Sequence, residues 1–200
     1  MAAWQDDWFS KNAPAIAQIM LFSATEVDAA LPKRPLPTRM FLTMPPIGPI
    51  AEHEMDALAA LMRDTIQPLA YYNAPARRAE LANYTARELA SLVAVDPQAV
   101  LVARDGTGLT GFCVSRFDDG TIWLSWFGTA AVARGRGIGA SLLAALAGTL
   151  PSRHAHKIWC DSRVDNTESR SVLERAGFQR IATLTNHWYG QDYFLWEWYP

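Results

Sequence analysis

The spacing of apolar residues changes character several times along this chain, and each change marks an element. Between Glu52 and Ile66 apolar residues recur at positions 55, 58, 61, 62 and 66. That three-to-four spacing predicts an amphipathic helix. Pro68 closes it, Tyr71-Tyr72 fall in the break, and Pro75 opens a second helix through Val93. Leu81, Tyr84, Leu89 and Leu92 form its apolar side, and Asp96-Pro97 ends it. Strand signals then take over in Val100–Ala103, Gly111–Phe117 and Thr121–Thr129. The turns Asp105-Gly106-Thr107-Gly108 and Asp118-Asp119-Gly120 join them, so the three form an antiparallel meander.

The helical period returns from about Gly137 to Leu150, with Ile138, Leu142, Leu143, Leu146 and Leu150 on one stripe. Lys157–Cys160 reads as a strand with Asp161 at its end. Asp165-Asn166-Thr167-Glu168 has the form of a capping box and starts a helix to Ala176, which Gly177-Phe178 terminates. Two strands follow, at about 179–185 and 192–198, joined by 186–191. With Met40-Phe41-Leu42-Thr43-Met44 as a first strand, the order is βααβββαβαββ. It predicts a mixed α/β fold, a central and largely antiparallel sheet flanked by helices.

The N-terminal segment differs. Residues 5–30 hold one or two weakly periodic helices, and three prolines between Pro32 and Pro37 make an extended linker. The expected organisation is an appendage over 1–37 and one domain over 38–200.

Composition narrows the classes without choosing among them. The 200 residues are 50% hydrophobic and 19% charged, enough for one sizeable core. Net charge is −2, so no basic field invites nucleic acid and no polybasic run addresses a membrane surface. No apolar stretch reaches the ~20 residues of a spanning helix. The two cysteines, Cys113 and Cys160, sit in apolar strands and offer neither a disulfide framework nor zinc spacing, so no metal is expected. A reducing, cytoplasmic setting is the expectation. The sequence is compatible with a homodimer.

Chemistry concentrates in Arg134-Gly135-Arg136-Gly137-Ile138-Gly139-Ala140, directly before an apolar helix. Alternating glycines let backbone N–H groups crowd an anion, and the helix start adds its dipole. This predicts a phosphate or pyrophosphate site. A P-loop would require Gly-Lys-Ser/Thr, which is missing. A dinucleotide site is loosely matched by Gly135, Gly137 and Ala140 with Asp161 about 20 residues on, but an antiparallel meander precedes the loop where parallel strands belong.

A third candidate accounts for more residues. Arg134-x-x-Gly137-x-Gly139 after a strand resembles the coenzyme A loop of the GNAT superfamily of N-acetyltransferases. Asn166-x-x-Ser169-x-x-Val172-Leu173-Glu174-Arg175-Ala176-Gly177-Phe178 resembles that family's second motif, at fitting distance. The specific motifs lie within 127–178, while the element order is similar over 38–200. The nearest branch resembles the ribosomal-protein N-terminal acetyltransferases.

The resemblance implies acetyl transfer from acetyl-CoA to a primary amine of a small molecule, peptide or protein. Amides of Gly135, Arg136, Gly137, Ile138, Gly139 and Ala140 would hold the pyrophosphate, with Arg134 and Arg136 adding charge. Backbone groups of Phe127, Thr129 and Ala131 would pair with the pantetheine arm, and Asn166 would contact it. Gly128 would admit close approach of the ligand. A free alkylamine is about one part in 10³ neutral at pH 7, so a base helps. Asp161 is the first candidate base, with Glu54, Glu80 and Glu88 as weaker, surface alternatives. Leu173 stands where many members carry an acid tyrosine, so Tyr189 is the candidate acid. The acceptor is expected to meet the Tyr71-Tyr72 break, the second helix and the 186–192 hairpin, where His187 is expected to be structural or acceptor-lining. Leu173 also keeps open a non-catalytic acyl-CoA-binding or interaction module, and a nicotinamide-dependent oxidoreductase remains the distant alternative.

Overall fold

The structure, a computed structural model, describes residues 45–200. The helices expected in 5–30, the proline-rich linker and the strand expected at 40–44 lie outside the described residues. A seven-stranded sheet dominates, in the order β1-β2-β3-β4-β5-β7-β6. Its strands are β1 (Ile47–Pro49), β2 (Val100–Asp105), β3 (Gly108–Asp118), β4 (Thr121–Thr129), β5 (Lys157–Arg163), β6 (Gln179–Trp188) and β7 (Gln191–Trp198). The helices are α1 (Met55–Ile66), α2 (Ala74–Asn83), α3 (Ala86–Val95), α4 (Ile138–Ala147) and α5 (Thr167–Arg175). β1 is a three-residue edge strand, and its Pro49 and the preceding Pro46 suit an edge because they donate no ladder hydrogen bond.

Period-two alternation splits the core between the two sheet faces. Val100, Val102, Phe112 and Val114 pack with Leu58, Met62 and Ile66 of α1 and Leu89 of α3. The intervening Leu101, Ala103 and Cys113 pack with Ile138, Leu142, Leu143 and Leu146 of α4 and Leu173 of α5. Each large aliphatic chain so buried contributes roughly 1.5–3 kcal/mol. Both cysteines are buried and free, as small hydrophobes are expected to be.

Two irregularities shape the centre. β4 and β5, the parallel pair, are joined only at Thr121–Lys157, Ile122–Ile158 and Trp123–Trp159. β4 continues to Thr129 and β5 to Arg163, so the strands separate beyond the third pair. β4 also bulges: Val114 pairs with Trp126 but Ser115 pairs with Leu124, leaving Ser125 as the extra residue. Leu124 therefore joins the α4 core while Trp126 packs at the α1 core. Trp123 adjoins Leu124 on the strand and faces the opposite way, so Trp123 and Trp126 share the α1 face despite their spacing of three.

Four local expectations are corrected. The helix expected from Pro75 to Val93 is two helices, because the Thr85 hydroxyl accepts the Glu88 N–H at 3.3 Å and restarts the chain as α3. β5 does not stop at Cys160 but runs to Arg163 along β7, which places Asp161 inside a strand, opposite Leu195. The Asp165–Glu168 capping box does not form. Asp165 pairs with Arg163 at 2.9 Å, and Asn166 caps α5 by accepting the Ser169 N–H at 3.1 Å. The last hairpin is tighter than expected: Trp188 pairs with Gln191 across Tyr189 and Gly190, at φ 50° and 70°. That two-residue turn, with both central residues left-handed, suits the twist of its strands.

Candidate functional site

The glycine loop connects β4 to α4. Gly135 and Gly137 sit at φ 75° and 79°, a conformation costly for residues with a Cβ. Gly137 is the N-cap of α4 and supplies no side-chain hydrogen bond. By contrast Asn73, Thr85 and Asn166 cap α2, α3 and α5. The first-turn amides of α4 therefore point out of the helix with no side-chain cap, beside the positive end of its dipole. Arg134 and Arg136 are exposed. Arg136 reaches Asp105 at 3.8 Å, an exposed pair that contributes little to stability. Ile138 is buried at 2% exposure and anchors the helix to the sheet. A Cβ on Gly111 would meet Ile138 Cγ2 at 2.7 Å, so that glycine is what lets α4 approach β3.

Upstream of the loop, Ala130 N donates to Thr110 O at 2.9 Å, on the β3 side. By alternation Gly128 also faces β3, whereas Phe127 and Thr129 turn their N–H and C=O groups toward the gap left by β5. The gap thus offers one strand edge of backbone donors and acceptors. Gly128 also has a reason within the fold itself. A Cβ there would lie 2.7 Å from Phe112 Cζ and 2.9 Å from Cε1, so the glycine makes room for a core ring. Ala131 begins a short 3₁₀ turn that leads into the glycines. Asn166 spends its carbonyl on the cap, and its Nδ2 donates to Ser169 Oγ at 2.9 Å. One amide N–H remains.

On the α1 face of the same gap, side chains from four separate stretches converge. Asp161 of β5 is half-buried, and burial raises its carboxyl above the usual range. The His187 imidazole, with Nε2 at 3.8 Å, and the Trp123 indole act in the opposite direction. Glu80 of α2 accepts the Trp126 Nε1–H at 3.0 Å. Burial pushes its carboxyl up to about 8, the Trp126 hydrogen bond opposes this, and the charge of Asp161 adds to it. Tyr72 lies 6.2 Å from Trp126 and 6.4 Å from Trp188, ring to ring. Tyr193 of β7 is 4% exposed, and its hydroxyl has no hydrogen-bond partner among the described residues. Burial and then the Asp161 and Glu80 charges push its hydroxyl up.

Two side-chain hydrogen bonds span the last hairpin and the start of α2. Asn73 Nδ2 donates to Tyr189 O at 2.8 Å, and Gln191 Nε2 donates to Tyr71 O at 2.9 Å. They bring together the Tyr71-Tyr72 break, the second helix and the final hairpin, three segments expected around an acceptor. The two halves of the site also sense one another, since the Arg134 charge lowers the hydroxyl of Tyr71 against the stronger effect of burial.

The predicted residues thus separate into groups. The loop residues Gly135 to Ala140 and the strand residues Phe127 and Thr129 adjoin through Ala131, and Asp161 lies beside the gap. Tyr189 sits at the hairpin tip, 47% exposed, with its ring on Trp188 at 4.5 Å. Leu173 is 1% exposed in the α4 core. Among the three acids expected at the surface, Glu88 is exposed. Glu54 is held by Arg104 at 2.6 Å, which lowers its carboxyl to about 2. Glu80 is the miss: it is half-buried in the site. Tyr193, to which the sequence assigns no role, also lies in the site. No linear motif marks either residue. A signal existed in Glu80 falling four positions before the apolar Tyr84, on the inward side of its helix.

Comparisons with known proteins give a family and a fold. A model of the acetyltransferase (GNAT) family matches residues 60–178. No curated protein matches the sequence. Among solved structures, a PaiA N-acetyltransferase from Thermoplasma acidophilum in complex with coenzyme A has a TM-score of 0.66 at 15% identity, covering 78% of this chain and 98% of its own. Ard1 from Thermoplasma volcanium has a TM-score of 0.64 at 16% identity, with 78% and 98% covered. A ribosomal-protein-alanine N-acetyltransferase from Brucella melitensis has a TM-score of 0.62 at 23% identity, with 77% and 99% covered.

Proposed function

The chain belongs to the acetyltransferase (GNAT) family, and we propose that it transfers an acetyl group from acetyl-CoA to a primary amine by direct attack. The observation that carries this reading is the separation of β4 from β5. It sets an unpaired strand edge, an uncapped glycine-initiated helix and a half-buried carboxylate around one gap.

These residues fit acetyl-CoA. Amides from Gly135 to Ala140 bind a pyrophosphate, with Arg134 and Arg136 contributing charge. Phe127 and Thr129 pair with the amides of a pantetheine arm as with an added strand, and Asn166 retains one N–H for it. When bound, acetyl-CoA supplies an activated acyl thioester. Asp161 accepts the proton that the amine must lose, and burial, by raising its carboxyl, makes it a stronger base than a free aspartate. The Tyr193 hydroxyl, buried and unpartnered beside Asp161, is better placed to donate a proton than Tyr189 at the exposed hairpin tip. A thiol of pKa about 8.5 leaves readily as an anion, so the acid contributes modestly.

Stabilisation by acetyl-CoA and by coenzyme A in a thermal-shift titration tests the binding half. Thiol release across a panel of amines tests transfer. Leu173, buried where many members carry tyrosine, favours a second reading as an acyl-CoA-binding module. Binding without thiol release on any amine would select it. A dinucleotide fold is ruled out by the sheet, whose strand before the glycine loop runs antiparallel to β3.

A further inference from the structure

Resting on that reading, we propose that Glu80 is a second acceptor-binding carboxylate, which with Asp161 selects an alkylammonium group that has no carboxylate beside its nitrogen. The bulge at Ser125 makes this arrangement. It turns Trp123 and Trp126 onto one face, and each faces a different acid, Trp123 toward Asp161 and Trp126 to Glu80. One acid comes from α2 and the other from β5, so two separate elements bring them together. Among the described residues no lysine or arginine forms an ion pair with Glu80. The one charge acting on Glu80 itself is that of Asp161, while Tyr71, Tyr72, Tyr84 and Tyr193 feel the Glu80 charge, and the cations Arg134 and Arg163 act on Tyr71, Arg163 on Tyr193 and Arg116 on Tyr84. His187 faces Asp161.

Tyr193 supplies an independent sign of a ligand. A buried hydroxyl without a partner costs about 1–3 kcal/mol, and the charges of both acids act on this one. A bound ammonium answers all three groups: it carries several N–H donors and a positive charge, and aromatic faces such as Tyr72 and Trp126 attract cations. The same site rejects a free α-amino acid, whose carboxylate would meet two acids, since like charges in such a site cost several kcal/mol.

At pH 7 the Glu80 carboxyl, whose pKa is pushed up to about 8, is mostly protonated. An ammonium bound against it makes it ionise, and its proton passes to the buffer. No bond of the ligand changes. Calorimetric titration of the coenzyme A complex with n-propylamine, in two buffers of different ionisation enthalpy, reads this proton directly. The expected result is release of nearly one proton per amine bound, falling to near zero in Glu80→Gln with at least tenfold weaker binding. Trp126→Phe keeps the ring, deletes the N–H, and is expected to weaken amine binding several-fold. Proton release that persists in Glu80→Gln, or amine binding unaffected by both variants, would overturn the proposal.

Acetylation rates for paired acceptors distinguish the source of the ammonium. Glycinamide against glycine tests the neighbouring carboxylate, and n-propylamine, a peptide N-terminus and Nα-acetyl-lysine amide test the carrier. A preference of about 10²-fold or more for glycinamide over glycine, narrowed by Glu80→Gln, supports the proposal. Whichever carrier reacts fastest identifies the source. Equal use of glycine and glycinamide would overturn it. A protein that coenzyme A fails to stabilise would instead overturn the function proposed above.

Discussion

The two halves of the site are built from different material. The glycine loop works with its backbone: two left-handed glycines, an uncapped helix start and one strand edge, drawn from 127–140. The proposed acceptor half is made of side chains, Tyr72 and Glu80 from one end of the domain, Trp126 from the middle, Asp161, His187 and Tyr193 from the other end. A backbone site tolerates changes of side chain as long as the dihedral angles survive. A side-chain site depends on the whole fold to assemble it, and on few particular atoms once assembled. The halves should therefore break in different ways.

Gly137→Glu should have the largest effect. It places a Cβ and a negative charge at φ 79°, at the entry to the uncapped amides. Complete loss of stabilisation by coenzyme A is expected while the far-UV circular dichroism of the fold persists. Undiminished binding would remove the loop from the site. Asp161→Asn comes next. If Asp161 accepts the amine proton, turnover falls by about 10²–10⁴ with coenzyme A binding retained. A fall below threefold would leave Asp161 a structural strand residue.

The same contrast explains what was legible beforehand. Glycine spacing before an apolar stripe is a local signal, and the helix, the loop and the pyrophosphate expectation all follow from adjacent residues. The meander was likewise readable, because Asp-Gly turns and alternation act over a few positions. The acceptor half was not. Glu80 sits on a helix of polar composition with Arg77, Arg78 and Asn83 around it, and nothing local separates a buried acid from a solvated one. Its hydrogen-bond partner is Trp126, 46 residues away, which reaches it because a bulge at Ser125 rotates the strand. Local competition also hid boundaries: the Thr85 hydroxyl ended one helix and began another, and Arg163 took Asp165 out of the expected cap.

Gly128 sharpens the comparison at a point where the halves touch. It lies on the strand that would receive the pantetheine arm, yet its missing Cβ is filled by the Phe112 ring. Phe112 is fully buried and has little room to retreat. Gly128→Ala should therefore destabilise the fold by about 1–3 kcal/mol, as overpacking does, with coenzyme A affinity changed less than about threefold. Unchanged stability with affinity reduced tenfold would mean that the glycine serves the ligand.

The smallest effects separate two acids that look alike in the sequence. Glu54 is held by Arg104 at about 2, below the 4.5 of a free glutamate, and Glu80 is pushed to about 8, above it. Their stability contributions have opposite signs. Glu54 stabilises the fold fully above 4.5, and that contribution is lost as pH falls toward 2. Glu80 costs nothing below 4.5, but as pH rises from there to 8 the unfolded chain ionises while the folded one stays protonated, so the fold loses stability. Glu54→Gln should lower Tm at pH 7 by about 3 °C, for roughly 1 kcal/mol, a deficit that disappears in acid. Glu80→Gln should raise Tm relative to the parent, from no difference near pH 4.5 to a plateau above pH 8. A saturating alkylamine with coenzyme A should shrink that advantage, because an ammonium against Glu80 removes the cost of its charge. An advantage that is flat with pH would mean that Glu80 ionises as freely in the folded protein as in the unfolded chain, and would return it to the surface where the sequence first placed it.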